Sequence, residues 1–285
     1  MNDDRWSLKR SVLCAVIPWM IVGCVREQAV TRTPPSAVRA PAASVAATER
    51  DAKKILTSMA GFLAKTPRFS VNLTGNYEVL QASGQKIEFG ESRKILVSRP
   101  DGLRVEVGHS DGERHLIFYD GQQITAFTPT ENVCAQIAKP GGIDEAVTYF
   151  LKDLHMRLPL AALLLSRFPA ELENRTQSLE YVEQNVMHGT PVHHLAGRTD
   201  TVDYQVWIPA GAQPLPMRVV LTYKNAEGQP SYRADFADWN LAPEIPANQF
   251  VFTPPEGARK IAFAAELPQV ALETPAKPDP SGEKK

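Results

Sequence analysis

Apolar residues recur at three- and four-residue spacing through Ala52, Ile55, Leu56, Met59, Phe62 and Leu63, the stripe of an amphipathic helix that ends before Pro67. Thr48, with Asp51 three residues on, reads as its N-cap. From there the period shortens to two. Phe69, Val71 and Leu73 alternate with polar residues, and the run continues through Tyr77 and Val79 to a turn at Ser83-Gly84. Residues 86–97 return as its partner, and Pro100-Asp101-Gly102 turns into a strand bearing Leu103, Val105 and Val107 on one face. His109 to Gly112 turns into a strand with Leu116 and Phe118, Asp120-Gly121 into 122–127, and 133–137 closes the run. Tight turns between successive strands mean antiparallel hairpins.

A helical insert, 142–167, interrupts this pattern. Ile143, Ala146, Val147, Phe150, Leu151 and Leu154 form one apolar helical face, with Asp144 and Glu145 in the first turn and Lys152 and His155 in the last, as the helix macrodipole favours. Pro159 restarts a helix over 160–165 that is apolar on every side. Such a helix must be covered all round, or must itself cover something that is not always present. Strand periodicity resumes over 179–186, 191–196, 202–208, 216–223, 231–239 and, briefly, 250–252. In 202–208, Val202, Tyr204, Val206 and Ile208 share the face expected to meet the helices, and Trp207 points the other way. About 11 strands in meander order predict an α+β fold built on a single, strongly curved antiparallel sheet.

Composition narrows the function classes. Of 285 residues, 43% are hydrophobic and 22% charged, with a formal net charge of −1 and no block of Lys and Arg, so nucleic acid is a poor partner. Of the three cysteines, Cys14 and Cys24 lie near the N-terminus, leaving Cys134 as a buried small hydrophobe with no disulfide partner and no metal-ligand spacing around it.

The N-terminus reads as an address. Arg5, Lys9 and Arg10 precede a short apolar stretch, 11–22, which is below the roughly 20 residues of a membrane span. Ile21-Val22-Gly23-Cys24 resembles the bacterial lipobox, which makes 1–23 a lipoprotein signal peptide and Cys24 the lipidated first residue of the mature chain. Val25 stands where an Asp would retain a lipoprotein at the inner membrane, so the outer membrane is expected, on its periplasmic face. Residues 24–47, rich in Ala, Pro, Thr and Ser, read as a disordered tether, 48–262 as the folded domain and 263–285 as a disordered tail.

Candidate chemistry is thin. Gly108-His109-Ser110-Asp111-Gly112 fits G-x-S-x-G, but a nucleophile elbow needs a helix after the Ser, and here a strand follows. His193 and His194 are adjacent strand residues and point to opposite faces, so they do not share an ion. Asp144-Glu145 and the Glu171 and Glu173 pair read as solvated charges, and Gly141-Gly142 only precedes a helix. The sequence predicts no catalytic residue, metal or cofactor, and hence a non-enzyme.

Pro67-Arg68-Phe69-Ser70-Val71, Arg99-Pro100-Asp101-Gly102-Leu103-Arg104-Val105 and the closing Phe250-Val251-Phe252-Thr253-Pro254-Pro255-Glu256-Gly257 resemble the lipoprotein-carrier fold of LolA and LolB. Tyr119-Asp120-Gly121, Trp207-Ile208-Pro209, Leu215-Pro216 and Asp238-Trp239-Asn240-Leu241 are similar to an uncharacterised bacterial family of predicted periplasmic proteins within that superfamily. The resemblance implies an unclosed β-barrel whose concave face is plugged by helices, with an apolar cavity between. On the sheet, that cavity would be lined by Val71, Leu73, Leu103, Val105, Leu116, Phe118, Tyr204 and Val206. From the insert it would receive Phe150, Leu160, Leu163 and Leu164. The resemblance carries over no activity, but it suggests an acyl chain, lipid or other hydrophobic small molecule as ligand. The alternative is an envelope protein-interaction or stress-sensing module, with the membrane reached through the N-terminal lipid alone.

Overall fold

The computed structural model describes residues 42–263; the expected signal peptide, Cys24, most of the tether and the tail beyond Phe263 lie outside the described residues. Helix α1 (Ala42–Lys65) begins earlier than expected, so Thr48 lies within it and does not cap it. Its buried stripe is Ala52, Leu56, Met59, Ala60 and Leu63. Thr66 closes the helix, donating its N–H (3.1 Å) and its hydroxyl (2.8 Å) to the Phe62 carbonyl just before Pro67.

Six strands follow as a meander: β1 (Arg68–Leu80), β2 (Lys86–Ser98), β3 (Gly102–His109), β4 (Arg114–Tyr119), β5 (Gln123–Thr128) and β6 (Val133–Ala138). The insert, which extends beyond its expected end to residue 175, holds α2 (Ile143–Lys152), one 3₁₀ turn (Ala161–Leu164) and α3 (Phe168–Arg175). A second meander completes the chain with β7 (Ser178–Met187), β8 (Thr190–Arg198), β9 (Val202–Pro209), β10 (Arg218–Tyr223) and β11 (Ser231–Asn240), and β12 (Arg259–Ile261) ends it. All twelve strands form one sheet in the order β12-β6-β5-β4-β3-β2-β1-β11-β10-β9-β8-β7. β1 and β11 join the two meanders, and β12, lying parallel to β6, is the one strand that breaks the antiparallel pattern. The sheet is strongly curled and unclosed, with β12 and β7 as its two ends. The insert therefore links β6, next to one end, to β7 at the other.

Alternation places Phe69, Val71, Leu73, Leu103, Val105, Tyr204, Val206 and Ile208 in one core with the buried faces of α1, α2 and the insert. Trp207 lies on the outer face, stacked 4.1 Å from His194, as its register predicts. Leu116 and Phe118 correct the expectation. They pair with Glu106 and Arg104, one position out of step with the core-facing Val105, and so belong to the outer face. Leu116, Ile117, Phe118 and Tyr119 are all apolar, so alternation could not assign the face, and the helix-facing pair is Ile117 and Tyr119.

The outer face is apolar here because the chain after β11 covers it. Phe252 packs on Phe118 (5.4 Å) and Phe127 (5.0 Å), and the Phe250 ring sits where a Cβ on Gly102 would come within 2.6 Å of it. Residues 250–252, expected as the last strand, are thus an irregular strap, and the last strand is β12. Phe263, assigned from sequence to the tail, is buried.

Candidate functional site

The second helix expected in the insert is absent. α2 stops at Lys152, and both His155 (φ 53°) and Leu160 (φ 66°) take the left-handed conformation, which costs a side-chain-bearing residue roughly 1–2 kcal/mol and breaks helical continuity. Only one 3₁₀ turn forms before Pro169, which then stands in the first turn of α3. That proline, with Glu171 also in the first turn, is the signal for this helix, where the sequence suggests only solvated charge.

The irregular segment is tied at its base and near its apex. At the base, Asp144 in the first turn of α2 accepts from the Ser166 N–H (2.9 Å) and hydroxyl (2.7 Å), while Arg167 donates to Thr148 (2.5 Å) and Glu171 (2.7 Å). Near the apex, Arg93 on β2 donates to the Pro159 carbonyl at 2.7 Å. Arg93 also pairs with Glu91 at 2.6 Å, their side chains only 4% and 5% exposed. The Tyr232 hydroxyl donates to Glu91 at 2.7 Å. Burial pushes the Tyr232 hydroxyl far above its ordinary range; Arg93 opposes that shift and Glu91 adds to it. Gly75, paired with Glu91 across β1 and β2, leaves the room this cluster needs: a Cβ there would sit 2.8 Å from Glu91 Cγ and 2.9 Å from the Tyr232 oxygen.

Ala161, Leu164 and Leu165 of the insert are buried, whereas Leu160, Ala162 and Leu163 are only partly covered. The latter three line a cavity of about 310 Å³ between the insert and strands β9 and β10. Its walls are Leu56 and Met59 of α1, Leu151, Leu158, Phe168 and Leu172 from the insert, and Tyr204, Val206, Val219 and Leu221 from the sheet. Glu171, Arg175, Thr199 and Thr201 supply the polar lining. Tyr204, its hydroxyl 2.9 Å from that of Thr176, has its pKa raised by burial. The volume lies at the small end of the roughly 300–1,000 Å³ of ligand pockets.

Of the residues expected around a cavity, Leu160, Leu163, Tyr204 and Val206 meet here. Val71, Leu73 and Leu164 instead line a void of only about 20 Å³, next to Arg93, where insert and sheet are packed. Leu103 and Val105 are buried in the core, and Leu116 and Phe118 are on the far side of the sheet. Phe150 lines a second cavity of about 300 Å³ with Val107, Ile117, Ala126, Ala135 and Leu158. Sequence reading missed Leu56 and Met59, read as plain core, and Phe168, Leu172, Val219 and Leu221.

The catalytic-looking motifs resolve into structure. Ser110 is exposed in the β3–β4 turn, where the Gly112 N–H donates to the His109 carbonyl (3.0 Å) and the His109 N–H to the Glu113 carbonyl (2.8 Å). His193 meets the Tyr181 hydroxyl at 3.0 Å while His194 stacks on Trp207 across the sheet. Cys134 is buried in β6. Among the described residues, no group of three His, Cys, Asp or Glu side chains is placed to hold a metal.

No curated protein matches the chain. Among solved structures, it resembles the Mycobacterium tuberculosis lipoprotein LppX (12% identity, TM-score 0.43, covering 70% of this chain and 100% of that one). It also resembles an uncharacterized conserved protein of Thermus thermophilus (10%, 0.42, 74% and 99%). A third likeness is to a LolA superfamily protein of Nitrosomonas europaea (11%, 0.33, 70% and 97%). Residues 52–264 match the family described as Predicted periplasmic protein (DUF2092), and the chain belongs to that family.

Proposed function

We propose that this protein is a non-catalytic periplasmic binding protein for an acyl chain or another hydrophobic molecule, held at the outer membrane by lipid on Cys24. The observation that carries the reading is the cavity of about 310 Å³, whose walls are aliphatic and aromatic side chains from the helices, the irregular insert and the sheet. The partly covered Leu160, Ala162 and Leu163 support it, because an apolar surface left open inside a fold is most stable when a ligand covers it.

The test uses the chain from residue 24 with Cys24→Ser, purified without its own lipid and extracted with organic solvent. Co-purifying lipid, or saturable binding of a fluorescent fatty acid, supports the reading; the absence of both refutes it. For the anchor, labelling with a palmitate analogue must mark the wild type and spare Cys24→Ser, and an unlabelled wild type would make the protein unanchored.

A second reading, an envelope protein-interaction or stress-sensing module, is favoured by the end of the β1–β2 ribbon. In strand pairing residues 78–88 meet only each other, β11 reaching to Tyr77 and β3 to Glu91, with the Glu78 carboxylate accepting from the Ser231 N–H (2.8 Å); this end exposes Val79 (38%) and Ile87 (38%), with Phe89 (37%) beside them. In-cell crosslinking to one stoichiometric protein, with the cavity empty, would select it.

A further inference from the structure

The second cavity, of about 300 Å³, differs in chemistry from the first. Its floor is apolar, with Val107, Ile117, Ala126 and Phe150, but its polar lining is Arg93, Arg157, Glu91, His109, His115 and Thr128, the last 3.1 Å from the His115 ring. Arg93 donates through one terminal nitrogen to Pro159 and through the other to Glu91, and its buried Nε has no hydrogen-bond partner. A buried donor without an acceptor is costly, and native structures leave few of them. Arg157 is exposed and makes no ion pair among the described residues. Among the lining side chains two guanidiniums accompany one carboxylate, Glu91, and the Glu113 carboxylate stands 3.5 Å from His115 and pairs with neither guanidinium. Apolar side chains cannot satisfy either feature, and neither can a hydrocarbon ligand.

We infer that this second cavity binds a single-chain amphiphile with a monoanionic carboxylate head, its oxygens set at Arg93 Nε and Arg157 and its tail against Phe150 and Ile117. One carboxylate supplies the acceptor that Arg93 Nε lacks and a counter-ion for Arg157, a charge-assisted contact stronger than a neutral one. The inference rests on the proposal that the fold binds hydrophobic ligands, and it adds both a ligand class and a second location.

Isolated envelope membranes carrying the full chain are photolabelled with a diazirine palmitate and with the diazirine hexadecanol of the same length, and the crosslinked peptides are mapped. The acid is expected to label peptides bearing Val107, Ile117 or Phe150, and Arg157→Gln to reduce that labelling about tenfold, the loss of one charge-assisted hydrogen bond. Hexadecanol labelling should not respond to Arg157→Gln. Because Arg157 is exposed, this variant tests recognition without disturbing the core. Ala126→Phe, which fills the second cavity, should abolish acid labelling there and leave labelling beside Leu172 and Val219 intact. Acid and alcohol labelling the second cavity alike, or acid labelling only the first cavity, would overturn this inference and leave the hydrophobic-binding reading standing. No label at either cavity would overturn both.

Discussion

Arg93 holds the carbonyl of Pro159 at 2.7 Å, so a buried cation of the sheet grips the backbone of the insert. The same guanidinium is paired with Glu91. The cluster therefore joins two tasks, fixing the insert near its apex and balancing a carboxylate out of contact with water.

Arg93→Leu removes the partner of that carboxylate and is expected to destabilise the fold by about 3–5 kcal/mol, the usual cost of stranding one member of a buried pair. Replacing both, Glu91→Leu with Arg93→Leu, should recover much of the loss, since two buried charges are then removed together. Urea unfolding measures both variants. A single variant within about 1 kcal/mol of wild type would show that the pair is not buried as described.

Gly75→Ala is expected to cost about 1–3 kcal/mol, because the added Cβ would lie 2.8 Å from Glu91 Cγ and force the cluster apart. Gly61→Ala makes the internal control: nothing lies within 4 Å of its Cβ position, and alanine favours a helix by about 1 kcal/mol. Thermal melts of the two should move in opposite directions.

Tyr204, Tyr223 and Tyr232 all have pKa values raised by burial. The unfolded chain releases these protons near pH 10 while the folded chain keeps them, so their contribution is complete below pH 10 and is lost as pH rises. Stability should fall above about pH 10 by up to 1.4 kcal/mol per pH unit for each tyrosine. Melting temperatures measured from about pH 8 to 11.5 test this, and Tyr232→Phe should make the decline shallower. A flat profile over that range would mean that the hydroxyls reach solvent.

Sequence periodicity reveals this fold wherever one face of a strand is polar. β9 is the clear case: Val202, Tyr204, Val206 and Ile208 alternate with Asp203, Gln205 and Trp207, and the helix-facing set follows directly. It fails at β4, where four apolar residues run together because the strap bearing Phe250 and Phe252 buries the outer face too. A segment about 130 residues away covers that face, and no local pattern announces it. The insert fails for another reason. A run of leucines has high helix propensity, but Leu160 in the left-handed conformation and Pro169 just beyond divide it into a loop and a new helix. The cavity is legible only in part, since its far wall comes from Phe168 and Leu172 on that unexpected helix.

The cavity beneath Leu160 and Leu163 is the proposed seat of a hydrophobic ligand. Native mass spectrometry of the lipid-free chain from residue 24, with Cys24→Ser, tests it most directly when compared with Val219→Trp, which fills the space. An added lipid mass, or one equivalent of bound fatty acid, is expected on the unfilled protein, with its loss from that cavity in the filled variant. An unfilled protein that carries no adduct and takes up no fatty acid, or a filled variant that binds in the same place as well as its parent, would contradict it.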